Sequence, residues 1–416
     1  MEDISKLLKE LSIDEKAALL AGTDFMFTNP IQRLDIPQIR MSDGPHGLRV
    51  QGNNGDNGVN GSEPATSFPT ACLTACGWNE ENLFKMGKAM GEEARFYNID
   101  VILGPGVNIK RNPLAGRNFE YFSEDPLLAG KMGSAEIKGI QSEGVGACIK
   151  HFALNNAENY RFMGDSVADE RAIREIYLKP FEIAIKTSNP EALMCAYNKI
   201  NGTYCSQNKW LLTDILRNEW GFNGLTMTDW GATHNRIAML QAGLDLEMPG
   251  DTSICRKWIV DGVANGKLDE ASLDKAIINV LNLVAKHKER KIEKANFSSH
   301  DLLAEEIAED CAVLMKNDGV LPLSSSGSFF VVGELFEKMR YQGSGSSLIN
   351  PTFLTTPKKA FDNAKVKYKY CKGYKENQIA VDKTLIEETV KNAKEYDTIL
   401  AFIGLTDYVE SEGSDR

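Results

Sequence analysis

The 416-residue chain lacks long hydrophobic runs, blocks of positive charge and the ligand spacing of a metal site. No apolar run approaches the roughly 20 residues that a helix needs to span a bilayer. Acidic side chains (58) outnumber basic ones (47), which argues against a nucleic-acid partner or an anionic membrane surface. The sequence also has no HExxH motif, no Cys–His cluster, no phosphate loop and no nucleophile elbow. We therefore predict neither a metal nor another cofactor.

The cysteines and the N-terminal residues bear on the compartment of the protein. The eight cysteines are scattered, and two of them, Cys148 and Cys195, lie in apolar stretches, where cysteine acts as a small buried hydrophobe. Their spacing fits neither a disulfide framework nor a zinc site. The first 22 residues are amphipathic and charged, without the basic start, apolar run and cleavage site of a secretory signal. These features predict a cytoplasmic protein.

The length and an ordinary composition, 42% hydrophobic and 25% charged, predict a folded protein of two domains. In the first part, short apolar runs typical of strands buried on both faces alternate with helical patterns. The predicted strands are Gln38–Ser42, Val101–Gly104, Ala147–His151, Ala192–Asn198, Leu225–Asp229 and Leu244–Met248. The predicted helices are Glu80–Tyr97, Pro126–Glu143, Asp169–Thr187, Trp210–Glu219, Ile254–Asn265 and Glu270–Lys288. A Gly/Asn-rich stretch at 53–61 predicts a flexible loop.

Polar side chains follow several of these strands at the point where each strand ends. They are Asp43, Lys150, His151, Tyr197, Asn198 and Asp229. In a barrel these strand ends converge on one face, whereas in a doubly wound sheet they spread along an edge. We therefore predict an α/β fold with a TIM-like (β/α) barrel over residues 1–287.

A polar, charged stretch at 288–300 predicts a linker, and a second α/β region follows over 301–416. Its predicted elements are a helix over Asp301–Lys316 and strands at Phe329–Val332, Lys367–Tyr370 and Thr398–Ile403. So small a sheet, ending just after a strand and a loop, would leave an exposed edge. We therefore expect that this region is the N-terminal part of an α/β sandwich domain, which a further segment or a second chain completes.

The segment with the clearest chemical signal is Gly224-Leu-Thr-Met-Thr-Asp229-Trp230-Gly231. An ionised aspartate at the end of an apolar strand must be paired or functional, because burial alone disfavours its charge. Beside an indole that can support a sugar ring, such a carboxylate fits a nucleophile. The alternative is that Asp229 caps the helix after the strand.

Four further strand-end or loop positions could form a polar cup around Asp229. Lys150 and His151 could donate hydrogen bonds to sugar hydroxyls, unless the histidine is a satisfied core residue. Asp43 could bind vicinal hydroxyls, or form a turn before Gly-Pro. Arg117 offers a forked donor or an ordinary salt bridge. Together they favour a hydrogen-bonding site around one carboxylate.

Motifs over nearly the whole chain resemble those of the β-glucosidases of glycoside hydrolase family 3. They are SDGPHGLR (42–49), GPGVNIKRNPLAGRNFEYFSEDP (104–126), KHFALNNAENYR (150–161), MCAYNKING (194–202), TMTDWG (226–231) and ESEGSDR (410–416). The resemblance implies a TIM-like barrel and a sandwich domain with the active site between them, and Asp229 as nucleophile. The residues that it implies for the sugar-binding subsite are Asp43, Arg49, Arg117, Lys150, His151, Arg161, Met194, Tyr197 and Trp230.

The resemblance implies an acid/base glutamate in ESEGSDR. Both Glu410 and Glu412 are candidates, and Glu412 is favoured because the family's acid/base usually stands directly before the glycine. The motif KHFALNN departs from the N-acetylglucosaminidase branch, where a barrel histidine does this work. Because the sequence stops four residues after Glu412, we expect its loop to be poorly anchored without another segment.

The predicted activity is that of a retaining β-glycosidase, most simply a β-glucosidase acting on a small β-glucoside or an oligosaccharide. Double displacement requires carboxyl groups roughly 5–5.5 Å apart. It also requires a protonated Glu412, in surroundings less favourable to charge than those of Asp229, where Arg and Lys donors favour the anion. The alternatives are a β-xylosidase, a sugar-binding protein without turnover, and an aldolase with Lys150 as Schiff base. A Gly/Ser-rich stretch at 342–347 predicts a mobile loop near the domain interface. The oligomeric state stays open, a homo-oligomer included.

Overall fold

A computed structural model describes residues 4–51, 61–250, 252–289, 292–324 and 327–416. The loop predicted at 53–61, apart from its last residue, and two residues of the predicted linker (290–291) lie outside the described residues. No helix in the described part of the chain is long and apolar enough to cross a membrane.

Short strands and longer helices alternate along the chain. The strands are β1 Met41–Asp43, β2 Pro64–Ala65, β3 Val101–Leu103, β4 Gly146–Phe152, β5 Asp165–Ser166, β6 Ala192–Cys195, β7 Lys199–Ile200, β8 Thr203–Tyr204, β9 Leu225–Thr228, β10 Ser328–Val332, β11 Asn350–Pro351, β12 Lys367–Cys371 and β13 Ile399–Ala401. The α-helices are α1 Ile4–Glu10, α2 Ile13–Leu19, α3 Ala71–Thr74, α4 Glu80–Phe96, α5 Pro126–Ser142, α6 Glu170–Ala172, α7 Lys179–Ser188, α8 Arg236–Ala242, α9 Thr252–Ala264, α10 Glu270–His287, α11 Phe297–Cys311, α12 Pro357–Asn363 and α13 Lys383–Ala393. Two π-helical stretches are Ile173–Tyr177 and Trp210–Glu219.

The first part has the predicted α/β, TIM-like arrangement. Strands β1, β3, β4, β6 and β9 form one parallel sheet in that order. These strands alone do not close a ring, but single bridges continue from β9 back to the residue before β1. The bridges are Met227–Leu246 and Ala21–Glu247 in parallel, and Gly22–Thr28 and Phe27–Arg40 antiparallel. The carboxyl ends of the strands therefore meet at one face, as they do in a TIM barrel.

Successive side chains of the sheet strands belong alternately to two hydrophobic cores, one on each face of the sheet. Ile149 of β4 belongs to the core shared with α4, α5 and α7. Its neighbour Cys148 belongs to the second core, together with Leu103, Met194 and Met227 of the other strands. This alternation follows from the two-residue period of a strand.

The second part contains a smaller parallel sheet in the order β12–β10–β13. The edge strand β13 of this sheet is exposed, as predicted. Its Ile399 is 51% accessible, and helix α13 has no buried residue. The second part of the chain contacts the barrel part through β11, which pairs with β2 at Asn350–Pro64 and Pro351–Ala65.

The observed bounds of several strands differ from the predicted ones by a few residues, and three further predicted elements differ as follows. The helix expected over Asp301–Lys316 is Phe297–Cys311, because the Asn296 side chain accepts a hydrogen bond from Ser299 N and so caps an earlier start. Residues 244–248 form single bridges rather than a strand. The long helix expected over Asp169–Thr187 is divided by the π-helical stretch before α7, whose first turn contains a proline.

Candidate active site

A cavity of about 640 Å³ opens at the carboxyl ends of the barrel strands and is closed on one side by loops of the second part. All the site residues predicted from the sequence line it. They are Asp43, Arg49, Arg117, Lys150, His151, Arg161, Met194, Tyr197, Asp229, Trp230 and Glu412. Further lining side chains that were not predicted are Phe25, Met26, Phe162, Pro249, Ser346 and Leu348. Residues far apart in the sequence therefore form one site.

Asp229 directly follows β9, and both its oxygens are held near the cavity. Oδ1 accepts a hydrogen bond from Trp230 N at 2.7 Å. Oδ2 lies 3.6 Å from His151 Nε2 and has no hydrogen bond within the described residues. The next helix, α8, is capped instead by Asn235. The interpretation of Asp229 as a helix cap is therefore wrong, and one carboxylate oxygen remains available for chemistry.

Trp230, the residue after Asp229, is held by one hydrogen bond from its indole and one to its backbone carbonyl. Trp230 Nε1 donates to Phe25 O at 2.8 Å, and Trp230 O accepts from Tyr197 Oη at 3.1 Å. Tyr197 in turn packs against Phe162, with ring centroids 4.5 Å apart, and under the Arg161 guanidinium. Hydrogen bonds and ring contacts therefore support the aromatic wall of the cavity beside the nucleophile candidate.

The polar floor consists of Asp43, Arg49, Lys150 and His151. Asp43 Oδ2 lies 3.7 Å from Arg49 Nη1. Burial raises the pKa of Asp43 to about 6, although Lys150 and Arg49 oppose the rise. Burial also holds the pKa of His151 well below its ordinary value, and nearby cations lower it further. A neutral His151, with Nδ1 3.1 Å from Tyr121 Oη, can serve a sugar hydroxyl as donor or acceptor.

Glu412 enters the cavity from the second part of the chain. Its Oε1 accepts from Arg161 Nη1 at 2.8 Å and lies 3.6 Å from Arg117 Nη1. Its Oε2 accepts from Ser346 N at 2.8 Å and from Ser346 Oγ at 2.7 Å. The Gly/Ser-rich stretch predicted near the interface therefore lies there and binds this carboxylate.

Glu410, the other acid/base candidate, faces elsewhere. It pairs with Arg340 at 2.8 Å and lines a separate cavity of about 730 Å³ beside α11. Of the two glutamates of ESEGSDR, only Glu412 shares the cavity of Asp229.

The pKa values of the two carboxyls shift in the directions opposite to those expected. Burial raises the pKa of Asp229, and the nearby Glu412 adds to the rise against Arg117, Lys150 and Arg161. Burial alone would raise the pKa of Glu412 as well, but Arg117, Arg161 and Ser346 hold it below its ordinary value. The arginines predicted to favour the Asp229 anion lie closer to Glu412, since they come from loops that face the second part.

Several supporting residues were missed although they lie within the quoted motifs. Glu120 forms a buried ion pair with Arg117, and Glu158 accepts from Arg161 Nη1 at 2.8 Å. Arg117 is thus both a salt-bridge partner and part of the cavity wall. The expectation of a poorly anchored Glu412 loop is wrong, because Asp415 binds it to the barrel. The acidic residues of these motifs were the signal that could have identified them.

Comparison with known proteins agrees with this arrangement. Residues 32–283 match the glycosyl hydrolase family 3 N terminal domain, and residues 312–416 match its C-terminal domain. The chain is 48% identical to thermostable beta-glucosidase B of Acetivibrio thermocellus over all of its own length and 56% of that protein. It is 42% identical to an exo-alpha-(1->6)-L-arabinopyranosidase of Bifidobacterium longum, over 98% of the chain and 56% of that protein.

A solved structure agrees as well. Beta-glucosidase 3B from Thermotoga neapolitana, in complex with alpha-D-glucose, superposes with a TM-score of 0.90 at 35% identity, over 100% of this chain and 64% of that one. The chain spans about half the length of the curated relatives it matches. Because the two family domains together match most of its residues, the chain belongs to glycosyl hydrolase family 3.

Proposed function

We propose that this protein is a retaining β-glucosidase that removes terminal non-reducing β-D-glucosyl residues, with Asp229 as nucleophile and Glu412 as acid/base. One observation carries the proposal. The same polar cavity is lined by a strand-end aspartate, one oxygen of which accepts no hydrogen bond from the described residues, and by a glutamate from the second part of the chain. Two carboxyls on either side of a sugar site are what glycoside hydrolysis requires.

In the first step Asp229 attacks the anomeric carbon, and the bond to the leaving oxygen breaks as Glu412 gives that oxygen its proton. In the second step Glu412 takes a proton from water, and the resulting nucleophile displaces Asp229. The two inversions at the anomeric carbon retain its configuration. The mechanism predicts carboxyl groups roughly 5–5.5 Å apart during catalysis.

The proton on this carboxyl pair must move before the first step. The raised pKa of Asp229 and the lowered pKa of Glu412 favour Asp229 as the holder of a single proton shared by the pair. The productive form has the proton on Glu412. Sugar hydroxyls that compete for the Arg117 and Arg161 donors would weaken the Glu412 anion and favour that form.

The choice of glucose as substrate rests on relatives. The A. thermocellus protein is a beta-glucosidase and the T. neapolitana structure holds glucose, whereas the B. longum relative acts on an arabinopyranoside. A pentosidase activity, including β-xylosidase, is therefore the second candidate. We further propose a barrel over 1–287, a linker at 288–300 and part of a sandwich domain from 301, in a cytoplasmic enzyme of carbohydrate metabolism.

A mechanism-based inactivator tests the nucleophile. A 2-deoxy-2-fluoro-β-glucoside with a good leaving group should label Asp229, as found by peptide mass spectrometry, and Asp229→Ala should lose both labelling and turnover. Label on another residue, or wild-type turnover in the variant, would refute the assignment. Saturable glucose binding without turnover in the wild type would identify a sugar-binding protein instead.

Matched glutamate variants test the acid/base. Glu412→Gln should lose activity chiefly on substrates with poor leaving groups, and azide should yield a β-glucosyl azide. Glu410→Gln is the control and should keep the wild-type dependence on the leaving group. If Glu410→Gln shows the azide product and Glu412→Gln does not, the two roles are exchanged. Aryl β-xyloside, α-arabinoside and N-acetyl-β-glucosaminide substrates in the same assay define the sugar.

A further inference from the structure

Glu412 lies on a tight turn, and the structure shows how this turn reaches the barrel. The Glu412 turn comprises residues 411–416, with a bridge between Ser411 and Ser414. Gly413 has φ +94°, a conformation that costs other residues energy. We infer that Asp415 is a positioning residue that docks this turn on the barrel and so places Glu412 opposite Asp229. The inference rests on the proposed function.

The Asp415 carboxylate collects backbone N–H groups from two barrel loops. Oδ1 accepts from Gly116 N at 2.9 Å and from Glu158 N at 2.9 Å. Oδ2 accepts from Glu158 N at 3.0 Å and from Asn159 N at 3.1 Å. Asp415 N donates in return to Asn159 Oδ1 at 3.1 Å. One side chain thus joins the loop after β3, the loop after β4 and the Glu412 turn.

A carboxylate suits this place for a physical reason. Hydrogen bonds to an ionised acceptor are roughly twice as strong as neutral ones, and the three amides belong to loops rather than to a helix or a sheet. Loss of the carboxylate would leave three N–H groups without this acceptor, which is costly where water does not replace it.

The same contact extends to the immediate partners of Glu412. Gly413 N donates to Glu158 Oε2 at 2.8 Å. The same oxygen accepts from Arg161 Nη1, which also binds Glu412 at 2.8 Å. A shift of the turn would therefore move Glu412 and disturb its arginine partner together.

The barrel surface under the turn is shaped for close approach. A Cβ built on Gly116 would lie 2.0 Å from Ser414 O and 2.3 Å from Ser411 O. Backbone atoms cannot yield as a flexible side chain can, so any larger residue at 116 would lift the turn. Gly116 and Asp415 therefore specify the same docked position by independent means, one steric and one by hydrogen bonds.

The test compares Asp415→Ala with Asp407→Ala, a control in which an exposed carboxylate of the preceding segment is removed. Wild type and both variants are assayed on aryl β-glucosides of graded leaving-group pKa. Asp415→Ala should lower kcat/KM on poor leaving groups by about 10²-fold, near the lower end of what general acid catalysis supplies. The kcat/KM of Asp415→Ala should change much less on a dinitrophenyl glucoside, because its leaving group departs without being protonated. Asp415→Asn, which keeps one acceptor oxygen, should recover part of the loss.

The outcomes separate positioning from folding and from the proposed function. An equal loss on all leaving groups, or no loss, in Asp415→Ala would overturn the inference. Gly116→Ala is the second variant and should reproduce the leaving-group dependence with Asp415 intact; a wild-type profile there would also count against it. A wild-type protein that hydrolyses none of these substrates would refute the proposed function instead.

Discussion

Gly345 lies beside Glu412 within the second part of the chain, and its replacement by alanine tests how closely the acid/base candidate must be held. Gly345 has φ +70°, and a Cβ there would lie 2.5 Å from Glu412 Oε2 and 2.7 Å from Glu412 Cβ. An ordinary contact begins at 3.4 Å, so the carboxylate must move by about 0.9 Å, and a misplacement of this size costs about 10²-fold in rate. We expect that loss in kcat/KM for cellobiose.

Backbone strain would also lower activity if it unfolded the protein, so the control must carry the same strain. Gly266 has φ +66° and nothing within 4 Å of a built Cβ. Gly266→Ala and Gly345→Ala should therefore share a loss of about 1–2 kcal/mol in the free energy of unfolding, measured by urea denaturation. Only Gly345→Ala should lose activity on cellobiose while it keeps most activity on a dinitrophenyl glucoside. Equal kinetic effects in both variants would refute the steric argument.

Three further predictions concern stability and the cavity mouth. Burial alone would lower the pKa of His300, but its hydrogen bonds to two glutamates of α4, Glu93 first, raise it above 6.5. The stability that a protonated His300 contributes is therefore fully present below pH 6.5 and is lost as the pH rises through its higher pKa in the folded state. His300→Gln should make the unfolding temperature depend less on pH over that range. An unchanged pH dependence in the variant would contradict the prediction. Asp245 is buried and paired with Arg217 at 2.8 Å, so Asp245→Ala should cost about 3–5 kcal/mol of unfolding free energy; a loss under 1 kcal/mol in urea denaturation would argue against a buried pair. Phe162 is 46% exposed at the cavity mouth, and Phe162→Ala should raise KM for aryl β-glucosides about 2- to 10-fold through lost ring contacts, with methyl β-glucoside unchanged as the control.

The alternation of strands and helices and the residue types of the site could be predicted from the sequence alone. Strands buried on both faces are mostly apolar, so the first charged residue after such a run, as Asp229 is after Leu225–Thr228, identifies a strand end. Parallel strands bring those ends to one face, and five of the six polar strand-end residues line one cavity, Asn198 being the exception. The motifs together sufficed for the family because each carries at least one side chain that lines the site.

Which charged side chains contact each other could not be predicted without the three-dimensional structure. Glu410 and Glu412 differ by two positions in the chain, yet one faces Arg340 and the other Arg161, since the backbone turn between them is set by contacts with the barrel. The pKa order of Asp229 and Glu412 likewise depends on distances between loops that are far apart in sequence. Electrostatic energies fall with separation and rise with burial, and neither quantity can be read from a linear order of residues.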